Sequence, residues 1–206
     1  MATREIVNIS AEIISQIASE LYDQPIMSNL ARPPYVERMV ARVLGCDWQH
    51  VGSGWNGWDV EHKPSGARLE VKQSARRQSW TESGKFKAND APRFDIRHRS
   101  GQYAADGKTW IEGDVRPADI YVFAWHSRFD PIESVDHRIP EQWQFFVLAE
   151  QKLPKIKSIG LGSLNHLGCN PILHDQLSSA VASELSNLEY LKVNSAFSNP
   201  VAGRSV

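Results

Sequence analysis

Asp59, Glu70 and Lys72 are the residues of this chain whose types and spacing could do chemistry together. They lie in Asn-Gly-Trp-Asp-Val-Glu-His-Lys-Pro-Ser-Gly-Ala-Arg-Leu-Glu-Val-Lys-Gln-Ser, residues 56–74, which reads as a β-hairpin turning at Pro64, Ser65 and Gly66. A loop of two residues (64 and 65) or four (63–66) sets Asp59 directly opposite Glu70 and Gly57 opposite Lys72. A three-residue loop would part the two carboxylates. Opposed side chains share one face with Cβ atoms roughly 4.5–5.5 Å apart. Strand alternation keeps Lys72 on the face of Glu70 and turns Val71 the other way with Val60 and Leu69. Two opposed carboxylates repel, and a divalent cation between them removes the conflict. Mg²⁺ takes one or two protein carboxylates and completes its shell with water and substrate phosphate. An ammonium beside it can stabilise the charge that develops as a phosphate ester is cleaved. The hairpin therefore predicts a metal-dependent phosphodiesterase site. The bland alternative is a surface Glu70–Lys72 ion pair of little energetic weight.

At these residues the chain resembles the PD-(D/E)XK nuclease superfamily, whose motif is an Asp at one strand followed by Glu/Asp-x-Lys on the next. Asp59 and Glu70-Val71-Lys72 match it position by position, and Trp58 stands where the motif has Pro. The resemblance covers roughly residues 30–150. It implies an α/β (α+β) restriction-endonuclease-like fold, a three-layer domain with a central mixed sheet flanked by helices. The implied activity is Mg²⁺-dependent DNA endonuclease cleavage, with Mn²⁺ as a substitute. Asp59 and Glu70 would hold the metal, with the Val71 carbonyl as a further ligand, and Lys72 would orient water or stabilise the transition state. Members often carry another Glu on the preceding helix, which makes Glu37 an accessory catalytic candidate.

Those residues need a scaffold. Ile6, Ile9, Ile13, Ile17 and Leu21 recur at helical spacing, predicting an amphipathic helix over residues 4–22 that packs on the domain or against a second copy in a homodimer. A breaker-rich linker ends in Arg-Pro-Pro at Pro34, and a second helix is expected over residues 35–44, stopped by Gly45. Its apolar stripe is Val36, Met39, Val40 and Val43. Glu37 lies off that stripe, either solvated or reaching the metal site. Trp48, Trp55 and Trp58 read as packing residues or as platforms for bases. Past Lys72, Gln73 should point away from the catalytic face, and Arg76 and Arg77 are candidates for phosphate contacts. Residues 93–99 alternate strictly, with Arg93, Asp95, Arg97 and Arg99 on one face. They predict one strand paired with residues 108–112, and Arg97 and Arg99 would lie along a nucleic-acid backbone or form a lid or solvated edge. Residues 119–125 and 143–149 read as buried strands, with Asp119 capping the first. A C-terminal helix is expected from Pro171 to about Leu191, and a tail over 194–206. The domain reading is a helix over 1–24, a nuclease-like domain over 25–193, and the tail.

Composition adds limits. Residues 63–108 hold 11 Lys/Arg against 5 Asp/Glu, whereas residues 1–62 hold 4 against 8. The positive field thus starts inside the hairpin, as a polyanionic substrate such as DNA requires. No apolar run approaches the roughly 18 residues of a membrane span. The N-terminus lacks a signal-peptide pattern, and Cys46 and Cys169 suggest no disulfide framework, so the expected location is cytoplasmic. His166, Cys169 and His174 lack a fourth zinc ligand at a recognised spacing, and no phosphate-binding loop, serine-hydrolase elbow or dinucleotide fingerprint occurs. The competing functional class is a catalytically inactive module of the same fold that binds nucleic acid or assembles with a partner.

Overall fold

The computed structural model describes residues 2–52, 56–81, 88–103 and 109–198. Trp55, Lys108 and the end of the expected tail, 199–206, lie outside the described residues, as does the side chain of Ile6. The chain forms a mixed α+β architecture around a five-stranded sheet. Helix α1 spans Ala2–Tyr22 and α2 spans Arg32–Leu44. Strands β1 (Trp48–His50), β2 (Val60–His62) and β3 (Arg68–Ala75) follow, then the short strands β4 (Arg93–Asp95), β5 (Arg99–Tyr103) and β6 (Trp110–Val115). The long strands β7 (Ile120–His126) and β8 (Trp143–Ala149) lead to β9 (Ser158–Gly160), α3 (Leu161–His166) and α4 (His174–Ser198).

The sheet order is β1-β2-β3-β7-β8, antiparallel except for the β3–β7 pair. Strand β7 is buried along its whole length because it has a neighbour on each side and a layer on each face. On one face, Val36 and Val40 of α2 and Leu177 and Val181 of α4 pack on Leu69, Val71, Val122, Phe145 and Val147. On the other, Phe94, Ile96, Ile159 and Leu164 cover Tyr121, Phe123, Phe146 and Leu148. That second layer is the β4–β9 ribbon with α3, where the sequence predicts helices on both sides.

Several boundaries move for identifiable reasons. Helix α2 begins at Arg32, not residue 35, since prolines fit the first helical turn, where no backbone N–H is needed. It ends at Gly45, whose φ of 101° an L side chain resists. Residues 93–99 do not form one strand. Their side chains alternate as expected, with Phe94 and Ile96 buried and Arg93, Asp95 and Arg97 exposed. The backbone, however, pairs first with β9 and then, from Arg99, with β6. Helix α4 continues through Ser198, past residue 194, where the sequence predicts the tail. Helix α1 matches its periodicity, yet Ile9, Ile13 and Ile17 are exposed and do not pack on the body of the domain. No helix among the described residues is long and apolar enough to cross a membrane.

A buried histidine pair sits where β7 ends and β8 begins. The rings of His126 and His137 lie 4.8 Å apart, with Trp143 edge-on to both. His137 Nδ1 accepts the Met27 N–H at 3.1 Å, so Nε2 carries the proton and donates to the Arg77 carbonyl at 3.2 Å. His126 Nε2 meets the Asp136 carbonyl and Gln142 Oε1. Burial pushes His126 down to about 4. Burial and the adjacent His126 push His137 down to about 3.

Candidate active site

The hairpin has the four-residue turn. The Gly66 N–H donates to the His62 carbonyl, the His62 N–H donates to the Ala67 carbonyl, and Val60 faces Leu69. Gly66 takes φ 68°, which glycine adopts without strain. The ladder stops at Val60. One residue earlier the Asp59 N–H still donates to the Leu69 carbonyl at 3.0 Å, but the carboxylate takes over from the backbone: Oδ2 accepts the Val71 N–H at 2.8 Å. The Asp59 carbonyl meanwhile accepts the N–H groups of Val51 and Gly52. Asp59 is thus fixed from both sides, with one carboxylate oxygen left for other work.

Glu37, Asp59, Glu70 and Lys72 border one cleft of about 330 Å³, together with Val71, Gln73, Arg93 and Asp95. Glu70 is buried, and its Oε1 receives both the Lys72 ammonium and, at 3.3 Å, the Arg99 guanidinium. Glu37 reaches inward, its Oε2 held by His50 Nε2 at 2.9 Å. Glu37 Oε2 and Asp59 Oδ1 converge on one point, 3.1 and 3.2 Å from where a Cβ on Gly52 would sit. Burial raises the Asp59 carboxyl to about 7, the charges of Glu70 and Glu37 add to the rise, and the Val71 N–H and Lys72 oppose it. A carboxyl held so high is one whose ionised form its surroundings disfavour.

The other predicted residues are spent differently. Gln73 turns away from the face of Glu70 and Lys72, as alternation predicts, and accepts Arg32 Nε of α2 at 2.6 Å, yet it still borders the cleft. The cause is the shortness of β2, which leaves β3 uncovered past Leu69 so that side chains of both faces reach the opening. Arg76 pairs with Asp90 and lies over the Phe129 ring, as does Arg77. Arg77 is buried and donates to the Phe129 carbonyl, so it is a packing residue, away from the cleft. Arg97 folds back on Asp95, and Arg99 reaches Glu70. Trp58 is a core residue whose indole N–H meets Glu61. Asp119 caps β3 by accepting from the Arg68 backbone and side chain.

Arg93 borders the cleft, while His50 and Gly52 stand behind it against Glu37 and Asp59. Arg93 shares the parity of Arg97 and Arg99, a signal that was present; nothing in the sequence around His50 or Gly52 marks them. Among the described residues, no three His, Cys, Asp or Glu side chains gather closely enough to hold a metal ion. Comparison of the chain with protein-family models, curated proteins and solved structures finds no match.

Proposed function

We propose that the cleft hydrolyses phosphodiester bonds with a divalent cation, most simply as a DNA endonuclease of the restriction-endonuclease-like class. The observation that carries this reading is Asp59, locked on the Val71 N–H, sharing one opening with Glu70 and Lys72 of the adjacent strand. The donor set fits Mg²⁺ or Mn²⁺: all its ligands are hard oxygens, a pair of carboxylates meets the usual requirement, and a cation would favour the ionised form of Asp59 that burial disfavours. Asp59 and Glu70 would hold the ion, with the Val71 carbonyl and Glu37 as further oxygens. When bound, the ion supplies Lewis-acid activation of the phosphate and an acidified water.

The chain's own residues do the rest. Lys72, on the strand beside the scissile phosphate, places a positive charge where the pentacovalent oxygens develop theirs. Arg93, at the rim, holds a non-reacting phosphate oxygen. His50 keeps Glu37 turned inward. Arg99 exchanges Glu70 for the substrate backbone as the phosphate enters.

A second reading, an inactive module that only binds nucleic acid, draws on one observation: Glu70 is already neutralised by Lys72 and Arg99. Purified protein incubated with plasmid, single-stranded and branched DNA, in Mg²⁺ or Mn²⁺ against EDTA, separates the two. The proposal expects metal-dependent cleavage that falls at least about 10³-fold in Asp59→Asn and Lys72→Ala. Cleavage that survives either substitution sinks the site assignment. Binding with no cleavage favours the module.

A further inference from the structure

Behind the His50–Glu37 pair the molecule opens a second cavity, of about 480 Å³, that the cleavage reading leaves without a role. Its walls are α2, the start of β1 and the hairpin turn. Arg38 and Arg42 stand on the exposed side of α2 one turn apart, and Lys63 projects from the turn. Arg38 gives one donor to the Pro34 carbonyl and Lys63 gives one to the Cys46 carbonyl, and both side chains line the opening. Among the described residues no carboxylate lines the cavity or lies within ion-pair distance of these three cations. Arg42 in the last turn of α2 complements the helix dipole, but that role needs one cation, not three around a hollow. Three convergent cations without an acid describe a polyanion site.

The β1 wall is aromatic. Trp48 lines the cavity, half-buried, its ring 4.8 Å from that of His62 across the β1–β2 ladder. Aromatic faces beside cations are how proteins hold unpaired nucleic acid, and stacking contributes about 1–3 kcal/mol per base. A base inside a duplex presents no face to stack on. His50 borders this cavity, and its partner Glu37, 2.9 Å away, borders the catalytic cleft. One hydrogen bond therefore separates the two openings.

We propose that the cavity holds an unpaired strand of nucleic acid leaving the Asp59–Glu70 cleft past His50, with phosphates on Arg38, Arg42 and Lys63 and a base on Trp48. This rests on reading the cleft as one that receives a phosphodiester, and it makes the substrate partly single-stranded: a flap, an end or a branch. The contacts are to backbone and base face, so the site selects strandedness and carries no sequence preference.

The test uses the full chain in EDTA, so that binding is read without cleavage. Fluorescein-labelled oligothymidylate and a duplex of equal length are followed by anisotropy across a salt series. Arg42→Glu combined with Lys63→Glu should weaken single-strand binding at least about tenfold and lower the slope of log affinity against log salt by about 1–2, while duplex binding changes less than about threefold. Trp48→Phe, which keeps a ring against His62, should lose part of the tryptophan quench that the oligonucleotide produces. Unchanged single-strand affinity and slope in the double variant overturn the proposal. So does full competition by inorganic phosphate, which marks a simple anion site. Absence of any cleavage by the wild type in a parallel assay with Mg²⁺ or Mn²⁺, with strand binding in EDTA still lost in the double variant, fells the reading of the cleft and leaves the cavity assigned.

Discussion

The sheet carries two buried polar clusters, and they are built on opposite terms. Glu70 lies opposite Tyr121 in the β3–β7 ladder and His126 lies opposite Ala75, so five residues, about 16 Å of strand, separate them. At the histidine end the rings are neutral and tied to the backbone: His137 links Met27 to Arg77, and Trp143 donates to the His137 carbonyl. At the carboxylate end like charges face one another, and Asp59 carries a carboxyl pushed up to about 7 by burial, Glu70 and Glu37. The first cluster holds the fold together. The second is held together by the fold, at a cost in stability, which is the usual condition of a site kept ready for a ligand.

The largest effect should come from the histidines. In the unfolded chain they take up protons near 6.5, while in the folded chain His126 and His137 hold out to about 4 and about 3. The unfolded state therefore binds more protons in between, and stability falls as pH falls through that window. Between pH 7 and pH 5 the two histidines together cost about 4 kcal/mol and Asp59 returns about 2, so urea denaturation of the wild type should show a net loss of about 1–2 kcal/mol. His137→Ala should remove much of that slope and cost about 3 kcal/mol at pH 7, because the Met27 N–H and Arg77 carbonyl lose their partner. A variant with the wild-type slope would place the titration elsewhere.

Asp59 should act with the opposite sign. Its carboxyl rises from 3.8 unfolded to about 7 folded, so the folded chain binds the extra proton and stability falls as pH rises through that window. Asp59→Asn, whose amide oxygen can still accept the Val71 N–H, should gain about 1–3 kcal/mol at pH 8. It should also steepen the acid-side loss, since the wild-type slope is the difference of two opposing terms. If Asn is neutral or destabilising at pH 8, the carboxylate cluster is not strained.

The smallest effect sharpens the contrast. Arg99 is 47% exposed where it meets Glu70, so Arg99→Ala should cost less than about 1 kcal/mol. The variant frees part of the Glu70 carboxylate, and the thermal shift on adding Mg²⁺ should exceed that of the wild type. Equal shifts would mean that Arg99 does not restrain Glu70.

How legible each cluster was follows from how local it is. The hairpin that carries Asp59, Glu70 and Lys72 closes over four residues, so turn chemistry and alternation determine its register. Strands β7 and β8 announce themselves as apolar runs bounded within a residue of the expected limits. The break within residues 93–99 was hidden because its cause is distant: β9, only Ser158–Gly160, pairs with the first half and has no pattern of its own. Gln73 and Arg99 depend on where β2 ends and where the β5–β6 ribbon falls, neither of which is written beside them. His50 is visible only once β1 lies alongside α2. The histidine pair joins Met27, Arg77 and His137, positions too far apart for any periodicity to connect.

The turn over residues 63–66 has a consequence for how such a chain can vary. Two residues added there, or two removed, leave Asp59 at the level of Glu70 and keep Leu69 and Val71 facing α2. One residue added or removed reverses the faces of one strand against the other, burying a charge where a leucine sat and scattering the carboxylates at the same stroke. Length change at the tip of this hairpin is tolerated by parity, so core and site can be lost only together.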